Sequence, residues 1–366
     1  MTVTKPILDL FVDANILLCL AFCLWRGGQM LIHRSRLRHD HARQLTLMKT
    51  VFGLTLISPL LAYGAVMLGH WVFPNTPLTV SDIAVAAYLR GEIALPAVEF
   101  EAALSARNRF TIAVLEGQVP WATLALCIVA LGGVYQAIRT VWSVARVRRA
   151  IEGSYLWRRT DRTEIRISDT VEVPFAARGL FRRFIVLPSS LLTHPRELRL
   201  VLAHEVQHLR SGDVEWELAF EALRPLLYWN PAFVLWKRSF DHLRELSCDQ
   251  SVMQSRRISP SEYAQCLLEF CERRVSGPWP KAMSVAFVRA GHGASRRAFE
   301  ARILAIFEGK RAQRSGLLVA AAATVLSLGL VLAAASVRQP GDWSQDRLML
   351  STIVNLERFA VINQGY

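Results

Sequence analysis

The stretch PRELRLVLAHEVQHLRSGD, residues 195–213, decides how the chain is read. Pro195 suits the first turn of a helix, where its missing N–H costs nothing. From there Leu198, Val201, Leu202, Val206 and Leu209 recur at helical spacing, and Ser211-Gly212 stops the pattern. Within this helix stands HEVQH, His204 to His208. Side chains four residues apart share a helix face, so both imidazoles can hold one metal ion, and Glu205, one position round, can reach a water on it. The bland alternative is a pair of satisfied core or surface histidines.

A catalytic zinc site wants a third protein ligand and an open fourth position for water. Glu245 is the best candidate, in RELSCDQSVM on a second helix expected to begin after Asn230-Pro231. Asp249 follows it by four residues on the same face, where it can accept a hydrogen bond from a ligand histidine and fix its tautomer. Like charges at that spacing repel on a solvated helix, so the pair needs a reason to be there. Cys248 beside them invites a fourth-ligand reading, but a site closed by four protein ligands would be structural. Tyr263, Arg289 and His292 are candidate oxyanion donors, and the sequence selects none of them.

Composition sets the surroundings of this motif. The 366 residues are 52% hydrophobic and 20% charged, and the mean hydropathy is +0.26. A disordered chain and an ordinary soluble enzyme both fit poorly, and a polytopic membrane protein fits better. Four segments approach the roughly 20 apolar residues that a spanning helix needs. They are Ile7 to Trp25, Val51 to Phe73, Trp121 to Ile138 with an extension to Trp142, and Leu317 to Val337. The first is the weakest because it carries Asp9 and Asp13. A cleavable signal peptide would need basic residues ahead of the apolar run, yet only Lys5 precedes it while six basic residues follow by position 50. An uncleaved span with its N-terminus outside is the expectation.

The net charge of +13 then has a location. Residues 26–50 carry +5 and residues 139–316 carry +11, whereas 1–25, 74–120 and 338–366 are neutral or slightly acidic. The whole excess falls on one side of the expected topology, which is the positive-inside pattern, and sidedness explains it without direct nucleic-acid binding. The cysteines give no disulfide framework: Cys19, Cys23 and Cys127 lie in apolar runs, and Cys248, Cys266 and Cys271 lack zinc-finger spacing.

The expected fold class is mainly α: a polytopic membrane protein with four transmembrane helices and a cytoplasmic α+β zincin-like (gluzincin) metallopeptidase domain. Its parts are an N-terminal segment and first span (1–25), a basic cytoplasmic loop (26–50), the second span (51–73), an extracytoplasmic loop (74–120), the third span (121–142), the cytoplasmic peptidase domain (143–316), the fourth span (317–337) and a short extracytoplasmic tail (338–366). The outer loop has an Ala-rich stretch from Ser81 to Ala106 that can form helices broken at Pro96. The peptidase domain opens with strand-like runs at Glu164 to Ser168 and Phe184 to Leu187. The apolar run from Pro225 to Trp236 is too short to span a bilayer, and core packing is preferred over a place among the lipid headgroups.

The HEVQH helix, preceded by FIVLPSSLL and followed by Gly212-Asp213, YWNP and ELSCD, resembles the BlaR/MecR-type signal-transducer membrane zinc metallopeptidases. The likeness extends over the arrangement of spans from about residue 7 to 337 and is most specific from Phe184 to Val252. It implies that His204, His208 and Glu245 bind one Zn2+, that Glu205 is the general base, and that Asp249 orients a ligand histidine. It also implies a bacterial cytoplasmic-membrane location and proteolysis of a cytosolic winged-helix repressor. Sensor members carry a penicillin-binding domain with Ser-x-x-Lys after the fourth span. Here 29 residues follow that span and no lysine has a serine three positions before it, so no covalent β-lactam receptor is expected. The HtpX-like quality-control proteases also pair HExxH with a downstream Glu and Asp, but the 41-residue step from His204 to Glu245 favours the transducers. A catalytically silent receptor or scaffold that keeps the zinc fold is the alternative from another class.

Overall fold

The computed structural model describes residues 4–72, 80–160, 162–179, 181–256, 258–276, 292–308 and 349–357, with the isolated positions Val325 and Gly329. It is mainly helical and divides into two units: residues 1–28, 49–130 and 317–366 form one, and residues 29–48 and 131–316 the other.

In the first unit, helices α3 (Val80–Leu89) and α4 (Ala97–Leu115) are separated at Pro96, as the sequence predicts. Their buried side chains Val85, Ala97 and Phe100 share a core with Leu350 and Val354 of the helical segment 349–357. Tyr88 stacks on Phe100, and the Glu357 carboxylate accepts a hydrogen bond from the Val98 N–H. The outer loop and the C-terminal tail of the sequence reading therefore fold together around one small apolar cluster.

Two helices among the described residues are long and apolar enough to cross a membrane: Leu8–His33, within α1 (Thr4–His33), and Pro120–Glu152, which is α5. The expected span 51–73 falls in α2 (His41–Val72), whose side chains from 59 onward lie outside the described residues. The expected span 317–337 lies outside them as well, except for Val325 and Gly329. The basic stretch 26–50 is more helical than a loop, since α1 runs to His33 and α2 begins at His41. Asp40 caps α2 by accepting the Arg43 N–H. Gln250 braces the turn, donating to the His39 carbonyl and accepting from the His41 N–H.

The second unit holds a four-stranded sheet of order β1-β2-β4-β3. β1 (Tyr155–Arg159) runs antiparallel to β2 (Thr163–Ser168), which is parallel to β4 (Arg183–Pro188), and β3 (Phe175–Arg178) closes the other edge antiparallel to β4. β2 and β4 are the two runs that the sequence points to. Ile165, Ile185 and Leu187 pack with Leu191 and Leu209 under Leu198, Val201, Leu202 and Val206. That is the apolar stripe of α6 (Pro195–Arg210), which starts at Pro195 as expected and ends with Gly212 in the left-handed region at φ +66. Glycine adopts that conformation without steric cost, so the chain turns at once into α7 (Asp213–Leu227). Helices α8 (Pro231–Arg256), α9 (Pro260–Ser276) and α10 (His292–Glu308) complete the unit.

Candidate metal centre

One stripe of α6 is committed to the sheet, and the other carries the histidines towards α8. His204 and His208 are each 6% exposed and Glu205 is 2% exposed. The two imidazoles stand perpendicular with centroids 4.6 Å apart, and their Nε2 atoms approach to 3.1 Å. From α8 the Glu245 carboxylate faces both: Oε2 lies 3.6 Å from His204 Nε2, and Oε1 lies 3.9 Å from His208 Nε2.

The far side of each ring has its own partner. His208 Nδ1 is 2.9 Å from Asp213 Oδ2. A carboxylate only accepts, so Nδ1 carries the proton and Nε2 presents a lone pair. His204 Nδ1 is 3.1 Å from the Tyr263 hydroxyl and 3.4 Å from Asp249 Oδ1. Tyr263 spends its own proton on Asp249, with the donor and acceptor 2.8 Å apart, so its oxygen accepts from His204. The second Nε2 is then a lone pair too. Two lone pairs at 3.1 Å beside a carboxylate repel one another unless a proton or a metal cation lies between them. Glu245 Oε2 adds to this, being buried with no hydrogen-bond partner. In a tetrahedral zinc site with bonds of about 2.0–2.2 Å the ligand atoms stand about 3.3–3.6 Å apart, close to the separations here. The donor set fits a divalent metal.

Two partly buried arginines hold the carboxylates. Arg302 of α10 forks onto Asp249, with Nε 2.7 Å from Oδ2 and Nη2 2.8 Å from Oδ1, while its Nη1 lies 3.3 Å from Glu245 Oε2. Arg244 donates to Glu245 Oε1 through Nη2 at 3.2 Å and to Glu217 of α7 through Nη1 at 2.8 Å. Burial alone would raise the Glu245 pKa, but Arg302, the two histidines and Arg244 hold it well below the usual carboxylate range. Asp249 is likewise buried, and Arg302 and His204 bring its pKa down to about 2. Both acids are therefore anionic at neutral pH. Glu205 moves the other way: burial raises its pKa, against the pull of His208 and His204. Burial also works against a charged His208, yet Cys248 and the Asp213 hydrogen bond push its pKa up to about 10, so the local field favours positive charge.

Cys248 is a second potential donor. His204, His208 and Cys248 offer ligand atoms within 4.8 Å of one another. Its Sγ meets His204 at the Nδ1 edge, 3.4 Å from Nδ1 and 3.5 Å from the His204 carbonyl, and it also interacts with His208.

His204, His208, Glu245 and Asp249 thus lie together, with Glu205 close enough to feel the charge of both histidines and of Glu245. Three others were not foreseen: Asp213, Arg302 and Arg244. Asp213 had a signal, as the first residue after the helix-stopping glycine and five positions beyond His208. Nothing in sequence spacing points to Arg302, 53 residues from Asp249. Of the candidate oxyanion donors, Tyr263 is buried between Asp249 and His204 and serves the ligand instead. Arg289 and the side chain of His292 lie outside the described residues.

Comparisons with known proteins find a family match that includes this region. The model of the family described as BlaR1 peptidase M56 matches residues 48–296, about two thirds of the chain and the whole of α6 through α9. The methicillin resistance mecR1 proteins of Staphylococcus aureus and Staphylococcus epidermidis are 27% identical over 78 residues. That alignment spans 21% of this chain and 13% of each relative, so it reaches a small part of the relatives' length. Given the family match over most of the sequence and the paired histidines inside it, the chain belongs to the BlaR1 peptidase M56 family.

Proposed function

We propose that this protein is a zinc endopeptidase of a bacterial cytoplasmic membrane that relays a signal by cleaving a cytosolic transcriptional repressor. The observation that carries the reading is the convergence of two histidine Nε2 atoms and the Glu245 carboxylate, which Arg302 and Arg244 flank, in one largely buried site. His204, His208 and Glu245 are the ligands, Glu205 the general base, and Asp249 the group that orients His204. A zinc ion in this position would supply Lewis acidity and lower the pKa of a bound water towards about 7.

The remaining steps belong to the chain. Glu205 takes the proton of the attacking water, and its burial-raised pKa brings it closer to that of a working base at neutral pH. Asp213 and Asp249 keep the Nδ1 protons in place so that both Nε2 atoms stay available. Arg244 and Arg302 keep Glu245 ionised and aimed at the histidines.

The membrane setting rests on the two apolar helices, on the positive-inside pattern and on the family. In the proposed topology, spans at 7–25, 51–73, 121–142 and 317–337 leave residues 26–50 and 143–316 on the cytoplasmic side, with the peptidase domain within 143–316. The repressor substrate follows from the resemblance to signal transducers. The test is cleavage of candidate repressors in membranes that contain the wild type or Glu205→Gln, with and without a chelator. Chelator-sensitive cleavage by the wild type alone is expected, and cleavage by the variant would remove Glu205 from its role.

The proximity of Cys248 favours one second reading, a closed His-His-Cys site that is structural in a non-proteolytic receptor. In that case Cys248→Ala would lose the metal and Glu245→Gln would keep it. The proposed centre requires the opposite.

A further inference from the structure

α7 carries apolar side chains on its outer face as well as on its inner one. Its inner face buries Phe220 and Leu227, as a core helix should. Its outer face carries Leu218, Ala222 and Leu226 at four-residue spacing, and Trp229 continues the line in the turn to α8. Leu218 is 55% exposed, Leu226 59% and Trp229 43%. An uninterrupted apolar helix face in water is costly, and soluble proteins seldom keep one.

The tip of this hairpin rests against α5. A Cβ on Gly132 would stand 1.9 Å from the Tyr228 hydroxyl, and one on Gly133 would stand 2.8 Å from the Pro225 carbonyl. The two glycines admit the turn, and they fall in the uncharged run from Pro120 to Ile138. The α5 side chains beside them, Leu131, Val134, Tyr135 and Ile138, are all exposed. Charge returns on the other side of the contact. Arg139, about 9 Å further along α5 at 1.5 Å per residue, acts on Glu221 of α7, which pairs with Arg224 at 2.6 Å. Apolar surface thus lies towards the middle of the span and basic side chains towards its cytoplasmic end. Acyl chains and anionic headgroups are arranged in that order across an inner leaflet.

We infer that the α7–α8 tip, with Leu218, Leu226 and Trp229 outward, is inserted among the acyl chains of the cytoplasmic leaflet alongside α5. The occupant of this face is lipid, because the face continues the exposed apolar surface of a helix with only 6% of its most apolar window buried. The inference rests on α5 crossing a bilayer. It places α7 of the metallopeptidase fold, and Asp213 at its start, on an element held by the membrane.

Site-directed spin labelling tests it on the full-length protein in bilayers containing phosphatidylglycerol. A nitroxide is attached through a ketone-bearing amino acid at Leu226 or Trp229, with Val134 as the reference on α5 and Arg199, an exposed residue of α6, as the reference in water. At 226 and 229, as at 134, collisions with oxygen should exceed those with a water-soluble nickel chelate, and the ratio should reverse at 199. Nickel access at 226 and 229 with oxygen preference at 134 would overturn the insertion while leaving the spanning helix intact. Exclusion of both reagents at 226 and 229 would mean that protein covers the face, which overturns it too. Nickel access at 134 would remove the spanning reading and this inference with it.

Discussion

Helices α5 and α8 invert each other. α5 turns Leu124, Ile128, Leu131, Val134, Ile138 and Trp142 outward. α8 turns charge inward: Lys237 meets Glu217 and Asp241, Arg244 meets Glu217 and Glu245, and Asp249 is forked by Arg302. Neither arrangement would survive in the other's surroundings. An exposed apolar helix calls for an apolar solvent, and buried charges call for close opposite charges. Within the α8 cluster the Glu245 carboxylate is shared between the arginines and the histidines: Oε2 lies 3.3 Å from Arg302 Nη1 and 3.6 Å from His204 Nε2. On the proposed function, α5 would be completed by lipid and α8 by a cation.

The largest effect should come from removing that cation. His208→Ala is expected to lower bound metal from about one ion per chain to background, to abolish proteolysis and to reduce the melting temperature, since a ligand bound only by the folded state stabilises it. Metal analysis and thermal unfolding in the same bilayers measure this. If chelation leaves the unfolding temperature unchanged, α8 is held by its arginines alone and the comparison breaks. Glu205→Gln comes next and separates chemistry from metal binding. Turnover should fall about 10²–10⁴-fold, the usual worth of a general base, with metal content unaltered. Arg302→Gln should weaken metal affinity about 10–100-fold, the range for groups that orient ligands. Competition with a chromophoric chelator reads that number without recourse to activity. Arg302→Lys keeps the charge but loses the two-pronged grip on Asp249, so it should recover only part of the loss.

Much of the centre was legible because helical spacing is rigid. HEVQH and the Glu245–Asp249 pair each place two side chains on one face, and both pairs meet. The limits of α6 were equally plain from Pro195 and Gly212. What escaped was non-local or short. Arg302 reaches the site from α10 through folding alone. The edge strand β3 is four residues long, and β1 is exposed at every position, so neither shows the alternation that marks a half-buried strand. The apolar run from Pro225 to Trp236 reads in the sequence as one piece suited either to the core or to the headgroup level, and it is three: the end of α7, a turn and the start of α8. Phe233 and Trp236 are buried as expected, but Leu226, Trp229 and Leu235 point outward. Composition could not sort these residues, because lipid and protein core select the same side chains.

The smallest expected effect tests whether the α5 side of the comparison involves close helix contact as well as lipid. Gly133→Ala adds one methyl group, 2.8 Å from the backbone carbonyl of Pro225. A carbonyl within a helix cannot swing aside as a flexible side chain can, so the hairpin must shift. Overpacking of this kind costs about 1–3 kcal/mol. Ala is otherwise the better helix former, by about 0.8–1.0 kcal/mol over Gly, which offsets part of that cost. The net outcome should be a modest loss of thermal stability with metal content unchanged, because Pro225 and Tyr228 belong to the tip and the histidines to α6. A gain in stability would mean that propensity outweighs the contact and that α7 does not press on α5 at Gly133. Loss of metal from the same variant would mean that the tip and the centre move together, which would turn the contrast between the two helices into a coupling.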